Sequence, residues 1–359
     1  MTVKTFKDLE GDVANRELCL GCGACVASCP VQCLSLRENR AALTGTCINC
    51  GICYGGCPQT ASLESIKVKL FGKSGDPAIG NYLEIFSARA EDQNLLQRAQ
   101  DGGAATSLLG TLLEYEFVDG AVVTGMGSER WMPAPFVATT RDELLDAAGS
   151  KYVRGPLLTG LLDAIRHFYK KKLAIVGLPC QIAAVRQIQM ANPTNRQLSE
   201  AVKLCIGIFC REAFKYDFFV EVVEGQTKTP LLEIDKFDIK NGRILIYRTM
   251  KPTREIPLSV ARKYVDLPCR VCMDFSAELA DISIGATGAP EGHSTLIVRT
   301  ESGKEALDFA IKFRELKISP MGEESIQEIR RNAGTKKESA RKVIEEMKKE
   351  GRPLPIWVT

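Results

Sequence analysis

From about residue 81 onward, short runs of Leu, Ile, Val and Ala recur, and their period switches between strand and helix. Asn81–Arg89 reads as a strand. Ala104–Phe117 puts Leu108, Leu109, Leu112 and Leu113 on one face and reads as a helix. Ala121–Thr124 is a short buried strand. Gly155–Tyr169 is a second amphipathic helix, closed by Lys170, Lys171 and Lys172 where cations suit the helix dipole. Leu173–Leu178 is a buried strand, Gln181–Met190 a helix and Val202–Phe209 another strand. Phe237–Ile239 and Ile244–Arg248 flank Lys240-Asn-Gly-Arg243, a strong hairpin signal. Leu296–Arg299 is a late strand. Lys304–Leu316 and Glu338–Lys349 are charged and helical, and read as a surface cap without chemistry. Strands alternating with helices predict an α/β sheet.

The first sixty-odd residues have a different texture. Cys19-Leu-Gly-Cys22-Gly-Ala-Cys25-Val-Ala-Ser-Cys29-Pro30 is followed by Cys47-Ile-Asn-Cys50-Gly-Ile-Cys53-Tyr-Gly-Gly-Cys57-Pro58. Both follow C-x₂-C-x₂-C-x₃-C-P, the run that holds two [4Fe–4S] clusters in bacterial-type ferredoxins. The fourth cysteine of each run reaches the other cluster in that arrangement. One cluster is therefore expected on Cys19, Cys22, Cys25 and Cys57, the other on Cys47, Cys50, Cys53 and Cys29. Zinc sites use pairs of C-x₂-C rather than a repeated three-ligand run, which argues against zinc here. The small residues between ligands leave room for backbone N–H groups to reach the sulfides.

Composition narrows the context. A chain of 359 residues suggests two domains. The expected plan is a ferredoxin domain over 1–65, a linker over 66–81 and a larger domain over 82–359. The fold class is thus α+β in two domains, a small 2[4Fe–4S] ferredoxin followed by a larger α/β unit. A net charge of +3 gives no argument for nucleic acid. No stretch is long and apolar enough to insert in a membrane, and the N-terminus lacks a signal-peptide layout. Oxygen-sensitive clusters point to a reducing cytoplasm. With only His167 and His293 present, a histidine-built metal centre is excluded.

Two strands end alike, in Cys180 and in Cys210. The loop Pro268-Cys269-Arg-Val-Cys272 adds a pair. Ligands gather at the carboxyl ends of strands in open α/β sheets. Cys180, Cys210, Cys269 and Cys272 offer four thiolates, which on spacing alone fit a cubane or a zinc ion. Cys205 rivals Cys210 but lies inside the strand, where cysteine is more often a small core residue. Cys33 reads as a packing thiol. Asp101, Gly102, Gly103, Ala104, Thr106 and Ser107 open the first long helix and suit either a phosphate or N-capping by Asp101. Ser150, Lys151 and Tyr152 precede the next helix and suit an anionic aromatic cofactor or an ordinary loop.

Taken in order, Asp-Gly-Gly-Ala-Ala-Thr-Ser (101–107), Gly-Ser-Lys-Tyr (149–152), Gly-Leu-Pro-Cys-Gln (177–181) and Gly-Ile-Phe-Cys (207–210) carry a resemblance, completed by Cys269-Arg-Val-Cys272-Met-Asp-Phe and Ala280-Asp-Ile-Ser-Ile-Gly285. The region resembles the coenzyme F420 hydrogenase/dehydrogenase beta-subunit family. With its duplicated ferredoxin it resembles the F420-oxidising subunits of archaeal F420H2 dehydrogenases, the input modules of complex-I-like enzymes. The resemblance implies FAD on residues 101–107 and 150–152 and a third [4Fe–4S] cluster on Cys180, Cys210, Cys269 and Cys272. It also implies coenzyme F420 as hydride donor, with ferredoxin or a membrane-bound complex-I-like dehydrogenase as acceptor. The place implied is the cytoplasm or the cytoplasmic face of such a complex. Hydride transfer requires no general acid or base, so no catalytic residue is expected. Arg154, Arg186, Arg211, Arg262 and Lys263 are candidates for the coenzyme's anionic tail. Gly285-Ala286-Thr287 departs from the family, which often has an acidic residue after that glycine. Alternatives on the same scaffold are a tetrapyrrole reductase of the 7-hydroxymethyl chlorophyll a type and a non-catalytic electron-transfer subunit.

Overall fold

The computed structural model describes residues 3–191 and 196–358. Its strands are β1 (Leu34–Arg37), β2 (Arg40–Leu43), β3 (Glu84–Ala90), β4 (Gly120–Met126), β5 (Pro133–Ala138), β6 (Leu173–Gly177) and β7 (Val202–Ile208). They continue with β8 (Lys236–Lys240), β9 (Arg243–Arg248), β10 (Lys251–Pro257), β11 (Ile282–Gly285), β12 (Ser294–Val298) and β13 (Leu316–Pro320). Eight of them form one sheet in the order β13-β3-β12-β11-β7-β6-β4-β5. The four neighbours β11, β7, β6 and β4 run parallel, and the outer strands are antiparallel to their partners. Their apolar composition follows from burial on both faces.

Side chains alternate between those faces. Val122, Ile175 and Cys205 pack with the helices Thr159–Arg166 and Pro179–Ala191. Ala121, Ala174, Leu204 and Ile206 face the helices Ala104–Glu114 and Glu301–Ile311. The N-terminal cysteine region, with its β1–β2 hairpin and the short helices Ala24–Ser28 and Ile52–Gly55, lies over the first layer. Leu20, Cys22, Ala24 and Ala27 share one core with Leu157, Leu158 and Ile182. The fold is therefore mixed α/β, with a ferredoxin-like region joined to a larger sheet, and one core runs through both.

Several sequence expectations shift in detail. The helix expected over 104–117 ends at Glu114, and the one over 155–169 is confined to Thr159–Arg166. The hairpin forms as expected: Lys240 pairs with Arg243 across Asn241 and Gly242, both at positive φ, the turn that matches strand twist. Residues 316–320 form β13 rather than the end of a helix. The helix Leu63–Phe71 crosses the expected 65/66 boundary and buries Ile66 and Lys67. The C-terminal helix spans Glu323–Lys349 and is not a mere cap. It buries Ile329, Ala333, Lys336, Lys337, Ala340, Ile344 and Met347 along one stripe.

Two charges meet a buried partner beside that stripe. Glu278, fully buried, accepts from Lys67 Nζ at 2.9 Å and from Lys337 Nζ. This ties the helix after the ferredoxin region, the C-terminal helix and the segment before β11. Exchanging Glu278 for alanine strands the buried Lys337 ammonium and leaves Lys67 with only the exposed Glu64, and is expected to cost about 3–5 kcal/mol. The check is an earlier urea midpoint in circular dichroism under anaerobic conditions; an unchanged midpoint would show that the ion pairs contribute nothing.

Candidate functional site

The carboxyl ends of β6, β7 and β11 face the same way, and the candidate chemistry collects there. Cys180 sits in the first turn of Pro179–Ala191, directly after β6. Cys210 follows β7, its N–H donating to the Phe275 carbonyl at 2.8 Å. Cys269 and Cys272 come from the short helix Leu267–Arg270 and the residues after it. The charges that act on Cys180 are Arg154, then Cys272, Cys269 and Cys210, after burial itself. These four sulfurs are therefore mutual neighbours. Burial pushes the Cys210 thiol up to about 12, against the pull of Lys336.

The N-terminal cysteines gather around two voids. Cys25 is raised by burial, then by Cys22, Cys57, Cys19 and Cys53. Cys53 is raised to about 12 by burial and by Cys50, Cys47 and Cys29. One void is lined by Cys19, Cys22, Cys25 and Cys57, another by Cys29, Cys47, Cys50 and Cys53. Gly23 and Gly51, at φ +84° and +77°, start the two short helices; a Cβ on Gly51 would sit 2.5 Å from the Lys4 carbonyl oxygen.

The two spare cysteines differ. Cys205 is fully buried, its N–H donates to Asp281 Oδ2 at 2.7 Å, and Arg186 and Asp281 act on its thiol rather than other sulfurs. Cys33 lines the second void, with its sulfur 3.5 Å from that of Cys29. It packs as expected, but against a candidate ligand.

A cleft of about 610 Å³ opens beside β8 and the loop after β11. Its walls carry Arg89, Lys236, Lys240 and His293, the carboxylates Asp101, Asp238 and Glu291, and the ring of Tyr247. That volume lies in the range of small-molecule sites. Asp101 is the one flavin candidate that lines it; burial, then Asp238, holds its carboxyl above the ordinary range. Ser150, Lys151 and Tyr152 are drawn near. The Ser150 N–H donates to Gln100 Oε1 at 3.4 Å, and Tyr152 feels Asp238 and Asp101. Lys151 is buried, its ammonium turned back on the carbonyls of Ala147, Ala148 and Gly149, and burial lowers its pKa to about 8.

The other residues of the 101–107 set are engaged within the fold. Ala104 and Ser107 are core residues, and the Ser107 hydroxyl donates to the Glu315 carbonyl at 2.9 Å. A Cβ on Gly102 would lie 2.6 Å from the Ala88 oxygen, and one on Gly103 would collide with Leu95, so both glycines serve packing. Thr106 is half-buried beside them and does not line the cleft. The helix is capped by Gly103 without a side-chain bond, so Asp101 is not its N-cap. Cations proposed for a tail are also spent. Arg186 donates to the Leu279 carbonyl and Asp281, and Arg154 to Leu20, Cys269 and Asp266. Arg211 donates to Asn332 and Arg262 to Glu212, while Lys263 is exposed. Lys236 and Lys240, which the sequence did not single out, reach the cleft through the hairpin, Lys236 donating to the Ala99 and Gln100 carbonyls and Lys240 pairing with Asp238 and Glu291 on its wall. Ala286 lines it too.

A ferredoxin-like cysteine region built onto an α/β sheet with a cleft at its carboxyl edge defines an iron–sulfur redox protein. Residues 13–35 match the 4Fe-4S binding domain. Residues 85–161 match the N-terminal and 170–324 the C-terminal model of the coenzyme F420 hydrogenase/dehydrogenase beta subunit. The chain belongs to this family. It is 36% identical over 275 residues to the beta subunit of the coenzyme F420 hydrogenase of Methanosarcina barkeri, covering 76% of this chain and 94% of that protein. It is 27% identical to a subunit of the F(420)H(2) dehydrogenase of Methanosarcina mazei, over 86% of this chain and 87% of that one. A chain of the F420-reducing [NiFe] hydrogenase complex from Methanosarcina barkeri superposes with a TM-score of 0.74 at 34% identity, covering 78% of this chain and 97% of that chain. Family members of these names are F420-linked oxidoreductases. Among the described residues no helix is long and apolar enough to cross a membrane.

Exchanging Cys210 for alanine is expected to remove about four irons per reconstituted chain. The same exchange at Cys205 should leave the iron content unchanged. Equal losses from both, measured by iron and sulfide analysis, would contradict the separation drawn here.

Proposed function

We propose that this chain oxidises reduced coenzyme F420, using FAD held in the cleft and three [4Fe–4S] clusters held by the three cysteine sets, and delivers electrons singly to ferredoxin or to a complex-I-like partner. The observation that carries this reading is the third cysteine set. Four thiols from three separate segments converge at the sheet edge that also bears the cleft.

Bound FAD would supply the one chemistry that joins a hydride donor to one-electron clusters. The chain's own part is to hold and separate. Asp101 and Asp238 offer acceptors to sugar hydroxyls, while Arg89, Lys236 and Lys240 supply charge for phosphates. Cys180, Cys210, Cys269 and Cys272 would hold one cluster, and the two N-terminal sets the others. Burial raises nearly every one of these thiols that is itself enclosed, so their thiolates call for the positive charge that iron brings. Cys50 is exposed, which supports the second set as the exit toward a partner. The kinship with subunits of an F420-reducing hydrogenase and an F420H2 dehydrogenase supports both the coenzyme and a partner complex.

The test is anaerobic. The protein is reconstituted with iron, sulfide and FAD, and the deazaflavin absorbance is followed with a viologen as acceptor. Oxidation of reduced F420 without NADH turnover is the expected result. Bound FAD with about twelve irons per chain but no F420 oxidation would remove the substrate and favour a tetrapyrrole reductase. Iron without flavin would leave a non-catalytic electron carrier.

A further inference from the structure

Arg154 is a candidate for an anionic tail on sequence grounds, yet its guanidinium is turned inward, with 11% of the side chain exposed. Nε donates to the Leu20 carbonyl at 3.1 Å, Nη1 to Cys269 Sγ at 3.0 Å and Nη2 to Asp266 Oδ2 at 3.0 Å. Leu20 lies between Cys19 and Cys22, in the first ferredoxin run. One planar fork therefore touches the loop of the first cysteine set and a sulfur of the third. The segment around it is fitted to the same loop. The Leu158 N–H donates to the Cys22 carbonyl at 3.0 Å, and a Cβ on Gly23 would lie 2.7 Å from Thr159 Cγ2.

Charge points the same way. The guanidinium is a permanent cation against Cys269 Sγ, with Asp266 as its carboxylate partner. Lys336 donates to the Cys210 and Asp274 carbonyls. Reducing a cubane adds one negative charge, and a buried cation favours the more negative state, strongly in a low-dielectric site. A charged N–H donor to a ligand sulfur works in the same direction.

We infer that Arg154 is a positioning residue that raises the reduction potential of a cluster on Cys180, Cys210, Cys269 and Cys272, and that it fixes the first cysteine set as that cluster's redox neighbour. This rests on the cluster assignment above but not on F420. Electrons crossing between cleft and exit then run through the third, the first and the second set in that order. Arginine is required, since lysine keeps the charge but cannot span Leu20, Cys269 and Asp266 at once.

The experiment is a redox titration of the reconstituted full chain, followed by electron paramagnetic resonance, for the natural protein, Arg154→Met and Arg154→Lys. Arg154→Met should lower the reduced-to-oxidised ratio of the third cluster at least tenfold at fixed solution potential, about 59 mV for one electron. Arg154→Lys should show a smaller fall, and a weakened magnetic interaction between the reduced third and first clusters. Potentials and interaction unchanged in both variants, at full iron content, would overturn the inference. If Arg154→Met loses iron, Arg154→Lys decides alone: an unchanged third-cluster potential overturns it. A natural protein with about eight irons would instead defeat the cluster assignment, whereas a shift without F420 turnover would sustain the inference and defeat only the substrate.

Discussion

Burying a thiolate is costly unless positive charge comes with it, and this chain buries many. Cys22 and Cys25 are buried and Cys57, Cys180 and Cys210 are half-buried, and desolvation is the largest influence on each. Iron answers that demand at each set in the proposed holoprotein. At the third set the protein adds charge of its own, in Arg154 and Lys336. The path of the chain follows from this need. The segment after the cleft must come close to the ferredoxin loop to deliver Arg154, and the C-terminal helix must bring Lys336 back across the sheet edge.

The sheet supplies the geometry. Parallel strands β6, β7 and β11 end on one side, so residues distant in sequence meet there without unusual backbone. Cys180, Cys210 and the loop of Cys269 and Cys272 arrive from three elements. The cleft lies at the same edge, between the loop after β11 and the hairpin of β8 and β9. The ferredoxin-like region is not a tethered appendage. Leu20, Cys22 and Ala24 are packed with Leu157 and Ile182, so the loop of the first cysteine set and the helices under the sheet keep one fixed relation. Fixed spacing is what single-electron transfer between buried centres requires.

The chemistry of the site was legible in the sequence because cysteine spacing is local. Two C-x₂-C-x₂-C-x₃-C-P runs dictate their own grouping, and each strand that ends in cysteine marks the sheet edge. The alternation of Val122, Ile175 and Cys205 with Ala121, Ala174 and Leu204 likewise reveals a strand with two buried faces. The flavin residues were less legible. A glycine pair before a helix looks the same whether it admits a phosphate or a neighbouring strand. Gly102 admits Ala88 from the preceding strand and Ser294 from far along the chain.

Long-range charge was hidden for a related reason. Lysine and arginine are read as exposed because that is their usual fate, and nothing local marked Arg154, Lys336 or Lys337 otherwise. Their partners, Cys269, the Cys210 carbonyl and Glu278, are separated from them by scores of residues. The redox class, the two N-terminal cysteine runs and the strand ends that carry Cys180 and Cys210 were readable in the chain, since each is written in short spacing or period. The cations buried against sulfur, the residues lining the cleft and the adjacency of the cysteine sets came from the folded arrangement alone. Those relations depend on where distant segments pack, and no local pattern encodes them.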